Sequence, residues 1–184
     1  MRKIIASFFM SLDGVVEAPD QWHFPYFNDE MGAAIEAAMA EADALMMGRV
    51  LYQEWAAYWP NQSSDDPIAA LMNNQRKFVV SSTLDTVEWN NSTLITGDIV
   101  AEITKLKQQP GKAIAISGSG TLVQSLLHHG LLDELRLMIH PIVVGRGKRL
   151  FTDRSEQQAL KLTDSQIFST GVVYLTYQPD KQEA

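Results

Sequence analysis

Short apolar runs alternate along this chain with segments of helical period, and that alternation restricts the fold more than any single motif. Compact runs occupy residues 3–10, 44–47, 77–82, 93–96 and 112–117. Between them apolar residues recur three or four apart, as in Met31, Ala34, Ile35, Ala38, Met39 and Ala42, or Ile99, Ile103 and Leu106. Parallel strands need such helical crossovers, whereas antiparallel ones can be joined by tight turns. Helices are predicted from an Asn28 cap onward, over 50–55, over Pro67–Asn74, over 98–108, and over 121–129 with Gly130 as its stop. Beyond Gly130 only strands are predicted, at 134–144, 160–168 and 171–178. The last two are separated by Ser169-Thr170, a joint short enough for an antiparallel hairpin. The expected class is α/β, with a mostly parallel central sheet and antiparallel C-terminal strands. One domain is expected over residues 1–178, followed by a tail at 179–184.

Composition narrows the chemistry. The 184 residues suffice for one core, and none of them is cysteine. That removes disulfides, thiolate nucleophiles, Cys-ligated zinc and iron–sulfur clusters. A net charge of −7 argues against a general nucleic-acid binder, which presents a basic face. The start, MRKIIASFFMSLDG, superficially resembles a signal peptide, but its apolar run is short and lacks a small-x-small cleavage site. A first strand is the better assignment. No stretch approaches the roughly 18 apolar residues of a membrane span, so a cytoplasmic location and no membrane partner are expected. His128 and His129, adjacent on a helix, point about 100° apart and make no one-face metal pair. No metal site is expected, and no G-x-S-x-G elbow supports a hydrolase.

Three predicted strand ends carry groups suited to an anion. Ser117-Gly118-Ser119-Gly120-Thr121 leads from strand directly into helix. Backbone N–H groups at a helix start bind phosphate, and glycine permits close approach; a tight turn needing glycine only for its angles is the plainer alternative. Val123 stands where a dinucleotide fingerprint has its third glycine, and Asp133 and Glu134 precede a strand rather than end one, so a Rossmann dehydrogenase is rejected. Gly48-Arg49 ends a second strand, offering a guanidinium fork or simply a surface arginine. Ser81-Ser82-Thr83 ends a third. The aromatic segment Trp22, Phe24, Tyr26 and Phe27 either walls a flat heterocycle or closes a loop over the core.

In order and spacing these pieces resemble the dihydrofolate reductase-like fold, and within it the reductase domain of the bifunctional riboflavin-biosynthesis deaminase–reductase. The matching blocks are Ser11-Leu12-Asp13-Gly14, then residues 42–52 (ADALMMGRVLY), 77–84 (KFVVSSTL), 118–122 (GSGTL) and 133–145 (DELRLMIHPIVVG). The resemblance covers roughly residues 1–178 and implies a three-layer fold binding NADPH at the C-terminal edge of the sheet. It implies cofactor contacts for Gly48 and Arg49, for Ser81 and Ser82, and for Gly118, Ser119, Gly120 and Thr121. Arg49 and Ser82 would read the 2′-phosphate, and the 118–121 turn would hold the pyrophosphate. Leu51 stands where the family often has threonine, while Tyr52 is kept.

For the catalytic acid the resemblance implies a carboxylate on the first helix, yet counting back from Gly48 reaches Gly32. Asp29 and Glu30, one turn earlier, are candidates, with helix-dipole complementarity as their other role; Asp13 after the first strand is a third. The implied function is an NADPH-dependent reductase of a small heterocyclic substrate, of the 5-amino-6-(5-phosphoribosylamino)uracil reductase type, forming a homodimer. The alternatives are a non-catalytic nucleotide- or pterin-binding module and a true dihydrofolate reductase. The zinc deaminase half is not in this sequence.

Overall fold

A computed structural model describes residues 1–153 and 155–180. Its elements are β1 (Ile4–Ser11), α1 (Asp29–Glu41), β2 (Ala42–Gly48), α2 (Arg49–Tyr58), α3 (Pro67–Asn74), β3 (Arg76–Val80), β4 (Ser92–Ile95), α4 (Ile99–Gln108), β5 (Ala113–Ile116), α5 (Gly120–His128), β6 (Glu134–His140), β7 (Leu160–Ile167) and β8 (Val173–Pro179). The eight strands form one sheet in the order β4-β3-β2-β5-β1-β6-β8-β7. Every pairing from β4 to β6 is parallel, and β8 pairs antiparallel with both β6 and β7. This is the α/β arrangement expected, with helices flanking a mostly parallel sheet.

Strand periodicity sends alternate residues to opposite faces, and the two faces are covered differently. On one face Ile4, Ala6, Phe8, Ala44, Met46, Ile114 and Ile116 pack under Ile103 and Leu106 of α4 and Leu122, Val123 and Leu126 of α5. The other face has two separate clusters. Tyr52 of α2 and Met72 of α3 join Leu45, Met47 and Val79 over one side of the sheet. Met31 of α1 joins Met138, Phe168 and Val172 over the other side. The middle strands β5 and β1 lie between these covers, and that gap positions the site.

Three boundaries differ from expectation. The strand predicted over 134–144 stops at His140, because Pro141 has no N–H to continue a ladder. The chain turns there, with Ile142 N donating to the His140 carbonyl at 2.8 Å, and Val144 N and Gly145 N donating to the Asp13 carboxylate. Helix α2 runs on to Tyr58, since Trp55 and Ala56 still have a cluster to pack against. At the C-terminus, β8 includes Pro179, and Asp180 N donates to the Ala159 carbonyl at 2.9 Å. The first two residues of the expected tail are therefore part of the sheet's margin; residues 181–184 lie outside the described residues.

Among the described residues no helix is long and apolar enough to cross a membrane, and no group of His, Asp and Glu is arranged to hold a metal ion.

Candidate functional site

The gap between the two covers is a cleft of about 1730 Å³. Its floor includes Ile5 and Ser7 of β1 and Ala113 and Ala115 of β5, and the small serine and alanines leave room above the sheet. Ile35, Ala38 and Met39 of α1 form one wall; Trp55 of α2, together with Ile68 and Met72 of α3, forms the other. At Gly48 and residues 117–121 the cleft reaches the C-terminal edge of the parallel strands, where ligands of such sheets collect.

Two helices start at that edge. Gly48 caps α2 and Ser119 caps α5, and they touch: Gly48 N donates to Ser119 Oγ at 2.8 Å. The contact exists because β2 and β5 are neighbours in the sheet, an adjacency across 71 residues of sequence. Two sets of unsatisfied helix N–H groups therefore face one region, an arrangement that favours an anion. Gly118 has φ +132°, a backbone angle that calls for glycine, and a Cβ there would lie 2.8 Å from Leu51 Cδ2 and have to displace that methyl. The Leu51 side chain packs into that space. Gly48, Arg49, Gly118, Ser119, Gly120 and Thr121 all line the cleft. Arg49 opens α2 and is exposed, with Nη1 donating to the neutral Gln53 Oε1 at 3.2 Å.

Ser81 and Ser82 follow β3 at the same edge, since Val80 pairs with Gly48. The Ser81 hydroxyl accepts from Thr83 N and Leu84 N, both at 3.1 Å, and shapes the turn, whereas Ser82 is exposed. Neither is in the cleft lining.

The acid candidates have other neighbours. Asp13 accepts from the Ser11 hydroxyl at 2.7 Å, from Val144 N and Gly145 N, and from Arg149. The Ser11 hydrogen bond and then the Val144 amide hold its carboxyl well below the usual range. Glu30 accepts from Ser169 Oγ at 2.6 Å, Ser169 N at 2.7 Å and Asn28 Nδ2, which lowers its pKa and ties α1 to the β7–β8 turn. Asp29 is exposed in the first turn of α1. None of the three lines the cleft, and the α1 residues that do are apolar.

The aromatic segment is also sorted by the fold. Trp22 is buried behind the wall, donating Nε1 to the Glu17 carbonyl at 3.1 Å and meeting His140 edge-on. Phe24 and Phe27 are largely exposed, and Tyr26 meets His140 at a ring distance of 5.8 Å. The segment's contribution to the cleft is His23, with residues 16–20 before it.

Sequence reasoning did not single out His23, Arg136 or Tyr174, all in the lining. Arg136 donates to Glu134 Oε1 and to Glu41 Oε2, the latter at 2.8 Å. Burial works against its charge, but these hydrogen bonds outweigh it and keep the guanidinium protonated. Burial raises the Tyr174 phenol, with Arg136 beside it acting the other way. Strand alternation placed Arg136 on one face of β6; which face looks into a cleft depended on helices elsewhere in the chain.

Residues 2–174 match the family described as the RibD C-terminal domain. An uncharacterised Bacillus subtilis protein, YyaP, is 32% identical over 180 residues, covering 96% of this chain and 94% of its own. A crystal structure from Shewanella sp. PV-4, provisionally assigned to riboflavin biosynthesis, superposes with a TM-score of 0.78 at 22% identity, covering 97% of this chain and 99% of that one. The dihydrofolate reductase of Enterococcus faecalis, in complex with NADP(H) and RAB-propyl, superposes with a TM-score of 0.65 at 14% identity, with 97% of each chain covered.

Proposed function

Because this chain belongs to the RibD C-terminal domain family, a riboflavin-pathway-type reductase family with the dihydrofolate reductase-like fold, we propose that it is an NADPH-dependent reductase of a small heterocyclic substrate. The observation that carries this is the meeting of two helix N-termini across the Gly48–Ser119 hydrogen bond, beside an arginine whose side chain has a neutral partner. The residues fit a dinucleotide phosphate: the N–H groups at the starts of α2 and α5 face it, and Arg49 supplies positive charge. When bound, the reduced nicotinamide supplies a hydride.

The chain's own residues bind and orient. The apolar walls from α1, α2 and α3 exclude water, which strengthens polar contacts made inside. The small floor residues admit a flat ring against the sheet. Two copies pair through the sheet in this proposal, with β7 as the outer strand and Ile167 exposed on it; a monomer mass by light scattering would remove that part alone. A cytoplasmic location belongs to the same proposal.

Calorimetric titration tests the cofactor assignment. Wild type should bind NADPH, and Arg49→Ala should weaken NADPH by about tenfold or more while changing NADH little, as expected for one charge-assisted hydrogen bond. Equal weakening of both would sink the 2′-phosphate assignment. Loss of nicotinamide absorbance with pterin and ribosylaminopyrimidine substrates then tests turnover. The apolar cleft face of α1 favours a second possibility, a binding module without chemistry; tight NADPH binding with no turnover across that panel would select it.

A further inference from the structure

His23 sits where the cleft reaches the C-terminal edge. Ala6 pairs with Ile116, the last residue of β5, so Ser7 is level with the start of the glycine-rich turn and Phe9 lies beyond it. The His23 ring stacks on Phe9 with centroids 4.7 Å apart and planes 11° from parallel, and meets Phe24 at 4.2 Å. It is 7% exposed and lines the cleft. Behind it His140, fully buried, is ringed edge-on by Phe9, Trp22, His23 and Tyr26, so the imidazole of His23 has a fixed orientation.

The two nitrogens of His23 differ. Among the described residues Nδ1 is buried with no hydrogen-bond partner, while Nε2 is not one of the buried unpartnered atoms and makes no hydrogen bond. Nε2 is thus the nitrogen that a cleft ligand can reach. A buried N–H without an acceptor is rarer and costlier than a bare lone pair, which puts the proton on Nε2. Burial, and then the neighbouring His140, also favour the uncharged ring. A neutral imidazole N–H can polarise a carbonyl without becoming charged itself.

We propose that His23 is a substrate-binding residue, presenting a neutral Nε2–H donor to a ring carbonyl or ring nitrogen of a planar heterocycle lying in the cleft. The proposal rests on the reductase assignment for its site, and it gives that site a polar group for orienting the substrate. No wall residue of α1 in the cleft lining supplies one.

The probe is lumazine, a planar dioxopteridine, titrated into protein loaded with NADP⁺ to prevent turnover. His23→Phe keeps the stack on Phe9 and removes the donor; His23→Gln keeps an N–H near the Nε2 position. The expected result is about tenfold weaker lumazine binding for His23→Phe, the loss of one hydrogen bond, with His23→Gln within about threefold of wild type. NADP⁺ affinity should be the same in all three. Nitrogen–proton correlation spectra of wild type should show the Nε2–H tautomer of His23. Equal lumazine affinity in wild type and His23→Phe, a proton on Nδ1, or no lumazine binding to wild type would each overturn the proposal. Failure of wild type to bind any nicotinamide dinucleotide would instead remove the reductase assignment. The tautomer and the lumazine titration on cofactor-free protein would then still decide the role of His23.

Discussion

Individual side chains in this protein are explained by their partners more than by their types. Asp13 is the clearest case, since its oxygens accept from two backbone amides 131 and 132 residues away and fasten the end of β1 to the loop after β6. Asp13→Asn should therefore lower thermal stability while leaving NADPH affinity unchanged, and an unchanged melting temperature would contradict this role. The folded carboxyl titrates below its unfolded value, so the stability it adds is present above the ordinary carboxylate range. That stability is lost as pH falls through the folded value. The gap in melting temperature between wild type and variant should close on acidification.

Lys77 is a second case. Fully buried at the start of β3, its Nζ donates to the carbonyls of Asn73, Gln75 and Asn90 and lies 4.2 Å from the centre of the Trp89 ring. Lys77→Met should cost about 2 kcal/mol in urea unfolding, because the carbonyls lose their donor. Burial brings the ammonium down to about 8 from 10.5. Between those values the unfolded chain binds the extra proton, so wild-type stability should rise with pH across that window, and Lys77→Met should lack the rise.

At the scale of elements, the decisive event is the meeting of the β2–α2 and β5–α5 junctions. Gly118→Ala should destabilise the fold by more than about 1 kcal/mol, because φ +132° is a conformation that L side chains rarely adopt. It should also weaken NADPH binding, which calorimetry would register; a variant of wild-type stability and affinity would show that the turn tolerates a side chain. Most elements were legible beforehand because their signals are local: the Asn28 side chain does cap α1 by accepting from Met31 N. The strand expected through residue 144 was not, since apolar residues 141–144 read like a strand until Pro141 and the distant Asp13 are taken together.

For the whole molecule, the division of one sheet face into two covers creates the cleft. A ligand that binds only the folded state should stabilise it by about 2.7 kcal/mol at a hundred times its dissociation constant. NADPH at that excess should raise the melting temperature by several degrees, read by calorimetry, and no shift would count against the cofactor assignment.

The amino-acid sequence was enough for the strand–helix alternation, the antiparallel C-terminal strands, the glycines and arginine at strand ends, and the family. All of these are written in local period, turn chemistry or short ordered motifs. It was not enough to say which side chains face the cleft. Asp13 and Glu30 are acids in suggestive places, yet their hydrogen bonds join segments more than 130 residues apart. His23 lies within the aromatic segment that begins at Trp22, and only the stack on Phe9 and the buried His140 single it out. Periodicity assigns a residue to a face, but a cleft is made where helices from distant parts of the chain leave a face uncovered.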